Sequence, residues 1–269
     1  MLRVVLGEKV KDGAGVVLNR VIGTSTLDNA DPFLLLDEFR SDNKQDYIAG
    51  FPMHPHRGFE TITYMVKGSF VHRDSKGNEG RLSSGEVQWM TAGKGIIHEE
   101  MPAMDNGKLW GYQLWINLPA TLKMTEPKYR HLTNSQMPVI HEEGLSIKII
   151  SGTYKNTEGP IELYFPVDYF DVVLNGGSFE KELKGTNLIY VHTGKVKVYA
   201  DEESEIGAGN LCIISDFNKV QISGNNAGFL YLSSEPLNEK IARYGPFVMN
   251  DMDEVLKAID DFNDGLLDK

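Results

Sequence analysis

The chain has 269 residues, of which 41% are hydrophobic and 24% are charged, a composition typical of soluble globular proteins. Its formal net charge of -11, without a clustered Lys/Arg stripe, argues against direct binding to nucleic acid. No apolar run approaches the roughly 20 residues of a membrane helix, and charges interrupt the N-terminal segment where a signal peptide is apolar. The sequence therefore predicts a cytoplasmic protein with no membrane partner.

The first 50 residues contain short apolar runs that predict strands. Two or three strands are expected in residues 1–30, and the continuous apolar run 33–36 is typical of a buried strand. Asp37 and Glu38 follow that run with no histidine nearby, so a solvated or capping role is expected for them. The single cysteine, Cys212, rules out an internal disulfide and is expected to be a small buried side chain.

The most informative stretch runs from residue 51 to residue 102. It contains His54 and His56, separated by one residue, and His98 and Glu100, again separated by one residue. Residues two apart on a strand point to the same face, so each pair sends both side chains to one side of a sheet. Pro55 cannot donate a ladder hydrogen bond, which predicts a strand start or an edge strand. If the two strands meet, three imidazoles and one carboxylate converge as ligands of a metal ion.

The residue types leave the metal and its carboxylate ligand open. Three imidazoles and a carboxylate without a thiolate suit Fe, Mn, Ni, Co, Cu or Zn, and an octahedral ion keeps two positions free. Glu100 shares the parity of His98, but Glu60 shares the parity of His56, so parity does not decide between them. Gln113, in the alternating strand pattern 110–116, is expected to reach into the cavity. The isolated His72, His131 and His141 are assigned no role.

The second half repeats the first faintly. Tyr64-x-x-x-Gly68 recurs as Tyr190-x-x-x-Gly194, 126 residues later, and Ser84-Gly85 recurs as Ala208-Gly209, 124 residues later. Two copies of one β-barrel unit are the simplest cause. We expect residues 1–130 to form an N-terminal barrel with the metal site and residues 131–269 to form a C-terminal barrel.

The second barrel is expected to be free of metal. At the repeat offset, Glu180 and Glu182 stand in place of His54 and His56, and carboxylates without imidazoles make a poor transition-metal site. The chain ends in a predicted helix over residues 251–264, because apolar residues recur there at helical spacing and Asp251 with Glu254 has the form of a capping box.

The sequence resembles the pirin family, a branch of the bicupins. The resemblance rests on PHRGFETITYMVKGS, QWMTAGKGIIHEEMP and LWINLP, and extends to DPFLLLDEF near the start and YGPFVMN near the end. It implies an all-β fold of two antiparallel jelly-roll barrels with a C-terminal helix, a monomeric state, and iron as the metal. The pirin pattern carries the carboxylate ligand onto Glu100, whereas the general cupin pattern places it at Glu60, which is kept as a supporting or reserve ligand. Independently of the resemblance, Gln113 and Glu60 are expected to orient the imidazoles through their free ring nitrogens.

The resemblance also implies a function. Some pirin-like proteins show quercetin 2,3-dioxygenase activity, in which a flavonol hydroxyl binds the metal and O₂ opens the ring with loss of carbon monoxide. Glu100 is then expected to accept the hydroxyl proton. The alternative is a redox-responsive regulatory protein that binds a transcription factor or a metabolic enzyme through its iron-dependent shape.

Overall fold

The structure is a computed structural model that describes residues 1–103 and 107–269. Within these residues the chain is mostly strand, connected mainly by short turns. The strands of the first half are β1 (Leu2–Leu6), β2 (Glu8–Asp12), β3 (Val16–Ile22), β4 (Phe33–Ser41), β5 (Phe51–His56), β6 (Phe59–Lys67), β7 (Ser69–Asp74), β8 (Glu79–Ser83), β9 (Val87–Thr91), β10 (Ile96–Pro102), β11 (Leu109–Asn117) and β12 (Lys128–Leu132).

The second half continues this pattern and ends in a helix. Its strands are β13 (Val139–Glu142), β14 (Leu145–Ser151), β15 (Thr153–Tyr154), β16 (Thr157–Glu158), β17 (Val167–Glu182), β18 (Thr186–Thr193), β19 (Lys195–Ala200), β20 (Glu202–Gly207), β21 (Asn210–Ile214), β22 (Lys219–Ser234), β23 (Ala242–Tyr244) and β24 (Phe247–Met249). The α-helix is α1 (Met252–Asn263), and short 3₁₀ helices span Lys44–Asp46, Ala120–Leu122 and Asn134–Gln136. The predicted all-β fold with one C-terminal helix is confirmed. No helix among the described residues combines the length and the apolar character needed to cross a membrane.

The chain divides into two compact units. The site unit, which holds His54, His56 and His98, comprises Lys9–Gly23, Phe33–Asn134 and Leu237–Lys269. The second unit comprises Met1–Glu8, Thr24–Pro32 and Ser135–Pro236. Compactness thus groups α1 with the first half of the sequence, because Ile97 of β10 packs against the cluster that contains the buried residues of the helix, and Arg57 pairs with Asp261 of the helix. The sequence repeat alone groups the same helix with the second half.

The site unit contains two large antiparallel sheets and the two-stranded sheet β23-β24. One large sheet has the strand order β12-β9-β6-β11-β4-β3-β2, and the other has the order β5-β10-β7-β8. A core cluster draws residues from both sheets, so the sheets pack face to face around an apolar interior. The members of this cluster are Val16, Leu18, Phe39, Tyr47, Met65, Phe70, Leu82 and Leu109.

The second unit is built on one antiparallel sheet of nine strands. Its longest strands, β17 and β22, have 16 residues each and pair with each other along their length. The pairing shifts register between Leu174 and Ser178, and such bulges bend a strand so that one sheet can fold over its own core. Cys212 lies fully buried in that core, and burial raises the pKa of its thiol to about 12. The strand orders in the described residues have free ends, so the two jelly-roll halves are open sheets rather than closed barrels.

The repeat inferred from the sequence has a counterpart in the backbone. The amide of Gly85 donates to the carbonyl of Met65 at 2.7 Å, and the amide of Gly209 donates to the carbonyl of Val191 at 2.7 Å. Both glycines lie in the left-handed region, with φ of 84° and 86°. The same turn therefore closes the same strand pair in each half of the chain.

Helix α1 begins at the predicted capping residue. The Asp251 side chain accepts a hydrogen bond from the amide of Glu254 at 2.9 Å, and the Glu254 carboxylate accepts one from the amide of Asn250 at 2.9 Å. The helix buries Val255 and Ala258, and Arg57 is bonded to its Asp261 at 2.7 Å. This ion pair ties the helix to the residue that follows the second histidine of β5.

Candidate metal centre

Three histidines converge on one face of the four-stranded sheet. Strand β5 is the edge strand and β10 is its neighbour, and His98 of β10 lies directly opposite His54. His56 is two residues further along β5 and shares the face of His54. Each of the three rings offers a nitrogen, and these nitrogens lie within 4.8 Å of one another. The sequence expectation that strand-borne histidines meet is thus realised between adjacent strands rather than across two sheets.

Local backbone features place the two strands. Pro55 interrupts the donors of β5 on an edge strand, where a missing N–H is tolerated. Gly58, at φ 91°, passes so close to β24 that a Cβ would lie 2.0 Å from the carbonyl oxygen of Val248. Gly95, at φ 148°, approaches the Leu267 carbonyl in the same way. These glycines let the chain turn tightly just after His56 and just before β10.

Burial keeps two of the imidazoles neutral. His56 is 2% exposed and His98 is 1% exposed. Burial lowers the pKa of both rings well below its usual value of 6.5, and the neighbouring His54 lowers it further. A neutral imidazole has a free lone pair, which is the form that binds metal ions.

The ring nitrogens test whether this group suits a metal ion. Within the described residues, Nδ1 of His56 and Nε2 of His98 are buried and have no hydrogen-bond partner. His54 places Nδ1 2.8 Å from the carbonyl oxygen of Pro52, which leaves its Nε2 for another contact. A buried nitrogen without a partner costs about 1–3 kcal/mol, a cost that a coordinated metal ion removes. Two unsatisfied buried imidazole nitrogens, together with the remaining nitrogen of the adjacent His54, therefore fit a transition-metal ion.

Glu100 lies next to this group and is held by two neighbours on the opposite sheet. Its Oε1 is 2.8 Å from the Thr63 hydroxyl, and its Oε2 accepts a hydrogen bond from Nε2 of Gln113 at 2.8 Å. Gln113 thus reaches into the site, as its position in β11 predicts, and contacts the carboxylate rather than an imidazole. Glu100 lies outside the group of donors within 4.8 Å, so its role as a ligand stays a prediction.

Glu60 occupies a different place. It is fully buried on β6, and its Oε1 accepts hydrogen bonds from the Trp89 indole at 3.0 Å and the Thr91 hydroxyl at 2.8 Å. Both donors belong to the neighbouring strand β9. Glu60 also lies outside the histidine group, and its predicted supporting role is untested by these contacts.

The structure places another histidine, His72, next to His98, although the sequence pattern assigns it no role. His72 is 2% exposed on β7, and its Nδ1 lies 3.4 Å from Nδ1 of His98. Its Nε2 lies 3.1 Å from Oδ2 of Asp74. Burial raises the pKa of Asp74, but hydrogen bonds from His72 and Asn78 lower this pKa by more, so that the net shift is downward. The available signal was the His-x-Asp spacing, which places both side chains on one face of a strand.

A cavity of about 580 Å³ opens beside the histidines, within the 300–1,000 Å³ range of small-molecule sites. His54, His56, Glu100 and Gln113 form part of its wall, and Phe51 lines it together with aromatic and charged side chains and one methionine. These further lining residues are Phe39, Met53, Trp115, Asp12, Arg20, Asp37 and Arg243.

The charged part of the wall corrects the expectation for Asp37. That residue is 4% exposed rather than solvated, and it forms two hydrogen bonds with Arg20, at 2.8 and 2.7 Å. Arg20 also contacts Asp12 at 2.6 Å. Burial raises the pKa of Asp37, and the adjacent Arg20 partly offsets that rise. Arg243 lies over the Trp115 ring, with its guanidinium carbon 4.9 Å from the ring centroid.

Comparisons with known proteins match both halves of the chain. The Pirin family model matches residues 15–116, and the model of the pirin C-terminal cupin domain matches residues 169–268. A pirin-like protein of Caulobacter vibrioides is 43% identical over 98% of this chain and 98% of its own length.

Two solved structures extend the comparison. Quercetin 2,3-dioxygenase from Acinetobacter baumannii has a TM-score of 0.89 and 32% identity, covering 98% of this chain and 96% of its own. The bacterial pirin YhhW from Escherichia coli, solved in complex with nickel(II), has a TM-score of 0.69 over 88% of this chain and 100% of its own. At 18% identity the latter shows the shared fold alone. Because two pirin family models match the two halves and a pirin-like relative matches 98% of the sequence, this chain belongs to the pirin family of bicupins.

Proposed function

We propose that the protein is a non-haem iron dioxygenase that acts on a flavonol-like aromatic substrate with O₂. The observation that carries the proposal is the meeting of three imidazoles, each with a nitrogen left for a metal, beside a cavity of about 580 Å³ that His54 and His56 line. The similarity to a quercetin 2,3-dioxygenase at 32% identity supports the substrate class. In this proposal His54, His56, His98 and Glu100 hold the metal.

The metal, when bound, would supply a Lewis acid with open positions that activates a substrate oxygen and O₂. The protein supplies orientation and proton transfer. Glu100 accepts the proton of the substrate hydroxyl, while the Gln113 amide and the Thr63 hydroxyl keep its carboxylate in place. Because Glu100 is only 3% exposed, few water molecules compete for this carboxylate.

The cavity wall suits a flat aromatic molecule with polar substituents. Phe39, Phe51 and Trp115 offer ring faces and edges, and the Arg20–Asp37 pair offers both donors and acceptors. Aromatic side chains pack against planar ligands in offset or edge-on arrangements. A neutral aliphatic substrate would leave the charged pair without a partner from the ligand.

Iron is the proposed metal, with Mn, Ni, Co, Cu or Zn as alternatives that the same ligands accept. A carboxylate ligand favours the higher oxidation state of iron, so that the bound iron would respond to redox conditions. The nickel(II) of the Escherichia coli pirin belongs to that protein and is one of these alternatives.

The test is turnover by purified, iron-loaded protein. Quercetin consumption, O₂ uptake and carbon monoxide release are measured for the native protein, for His56→Ala and for His141→Ala. His141 is an exposed histidine of the second unit and serves as the matched control. The proposal expects His141→Ala to consume quercetin and O₂ at the same rate as the native protein. It expects His56→Ala to consume neither. Turnover that is indifferent to His56→Ala would rule it out.

A further inference from the structure

A buried chain of hydrogen-bonding groups runs from His98 away from the cavity. His98 Nδ1 faces His72 Nδ1 at 3.4 Å, and His72 Nε2 faces Asp74 Oδ2 at 3.1 Å. All three residues are at most 8% exposed. The direction of each hydrogen bond is fixed once one proton is placed, because a neutral imidazole has one donor nitrogen and one acceptor nitrogen.

Asp74 is held in one orientation by the turn that follows β7. Its Oδ1 accepts hydrogen bonds from the backbone amides of Lys76 and Asn78, both at 3.0 Å. Its Oδ2 accepts one from the Asn78 side chain at 2.9 Å. The oxygen that faces His72 is therefore always Oδ2, and an ionised carboxylate oxygen can only accept.

We infer that Asp74, acting through His72, sets the tautomer of His98 so that the Nε2 lone pair of His98 is available to a metal. Because Asp74 accepts, His72 carries its proton on Nε2 and accepts at Nδ1. His98 then carries its proton on Nδ1 and leaves Nε2 unprotonated. That atom is the buried nitrogen of His98 for which the described residues provide no partner. His72 and Asp74 are thus positioning residues for His98.

Packing around His72 holds its ring in the orientation that the hydrogen bonds to His98 and Asp74 require. The Tyr129 ring stacks on His72 with centroids 4.5 Å apart and an angle of 18° between the planes. Tyr129 in turn accepts a hydrogen bond from Gln88 at 3.0 Å. A Cβ at Gly80 would lie 2.3 Å from the Tyr129 hydroxyl, so there is little room for the pair to move. The His72 ring is therefore fixed by its face as well as by its nitrogens.

Carboxylates and histidines behind a metal-binding imidazole typically raise metal affinity by about 10- to 100-fold through orientation and tautomer. The inference rests on the metal site of the proposed function, but its test does not need the metal. The histidine ¹⁵N chemical shifts of the full metal-free chain report which nitrogen of His98 carries the proton. We expect the proton on Nδ1 in the native protein, and a proton on Nε2 would overturn the inference.

The sharpest variant is Asp74→Asn. The backbone amides of Lys76 and Asn78 would hold the amide oxygen at the Oδ1 position, so the NH₂ group would face His72. A donor in place of an acceptor reverses both hydrogen bonds and moves the His98 proton to Nε2. We expect the ¹⁵N pattern of His98 to invert and the affinity for Fe(II) to fall about 10- to 100-fold.

Asp171→Asn is the matched control, since Asp171 pairs with the buried His192 of the second unit at 3.0 Å. It should leave the His98 pattern and the Fe(II) affinity unchanged. An unchanged His98 tautomer in Asp74→Asn would contradict the inference. If Asp74→Asn does not fold, the native tautomer decides, together with His72→Phe, which keeps the ring stack and should weaken Fe(II) binding. Absence of quercetin turnover with the expected tautomer would count against the dioxygenase proposal alone.

Discussion

In the site unit, His54 and His98 lie directly opposite each other on neighbouring strands, and in the second unit Phe179 lies opposite Ile222. Phe179 follows His54 by 125 residues and Ile222 follows His98 by 124 residues, close to the offsets of the repeated turns. His54 borders a cavity and its ring centroid lies 4.4 Å from that of His98, whereas Phe179 packs against Tyr154 and Tyr231 with ring centroids 5.4 and 5.3 Å away. The same strand pairing therefore supports a ligand group in one half and a solid apolar core in the other.

The comparison shows that the cupin backbone does not by itself make a metal site. The two halves differ in the side chains at a few inward positions and in the hydrogen bonds that hold those side chains. In the site unit, Asp74, Thr63 and Gln113 hold His72 and Glu100 in place through hydrogen bonds. At the counterpart position, Phe179 and Ile222 belong to an apolar cluster and need no such partners.

The largest expected effect comes from His98→Ala. Removing one of three imidazoles should reduce bound iron from one ion per chain to none under chelator competition, because the remaining donors are too few for a stable site. Elemental analysis of the purified variant measures this. His131→Ala, which alters a half-buried histidine bonded to Glu86 in the same unit, should retain a full complement of iron. Equal iron in both variants would remove His98 from the site.

Glu100→Gln should separate proton transfer from metal binding. The amide is nearly the same shape but cannot act as a base, so turnover of quercetin should fall by about 10²- to 10⁴-fold. Iron content should fall much less, because the imidazoles remain. Glu86→Gln, a carboxylate change at the His131 pair, provides the control. Full activity in Glu100→Gln would assign the base to another group.

Phe179→Ala tests the other side of the comparison. Truncation of this fully buried ring should lower the free energy of unfolding by about 3–5 kcal/mol, through lost apolar contact and a new cavity. Iron content of the folded protein should not change. Chemical denaturation with elemental analysis of the native fraction measures both. Loss of iron without loss of stability would mean that the second unit takes part in metal binding.

The metal-free protein should lose stability in mild acid. Burial lowers the pKa of His56 and His98 below 6.5, the value that the unfolded chain has. The contribution of these two neutral histidines to the free energy of unfolding is therefore fully present above pH 6.5. It declines as the pH falls, because the unfolded chain then binds protons that the folded chain does not bind. The slope approaches about 1.4 kcal/mol per pH unit for each histidine. Urea titrations between neutral and mildly acidic pH should show this slope reduced in His56→Phe.

Much of the site could be predicted because it depends on local pattern. The parity of His54 with His56 and the constraint at Pro55 require only that the segment is an edge strand, which it is. The capping residues of α1 are likewise local, and the helix starts where they predict. His72 could not be assigned this way, since its contact with His98 depends on the pairing of β7 with β10.

The second half shows the limit set by register. The repeat offset predicts that Glu180 occupies the position equivalent to His54. In the structure Glu180 is exposed and bonded to Lys219, whereas its neighbour Phe179 points inward. A shift of one residue moves every side chain of a strand to the other face, and the bulges of β17 supply such shifts. A repeat offset that varies by two residues cannot resolve this difference.

The central claim is that His54, His56 and His98, with Glu100, bind one metal ion at the cavity wall. X-ray absorption spectroscopy of the iron-loaded protein, with elemental analysis of the same sample, tests it most directly. The account predicts one iron per chain coordinated by three imidazole nitrogens and a carboxylate oxygen. Stoichiometric iron with fewer than two imidazole ligands, or a metal-free protein after loading with excess Fe(II), would contradict it.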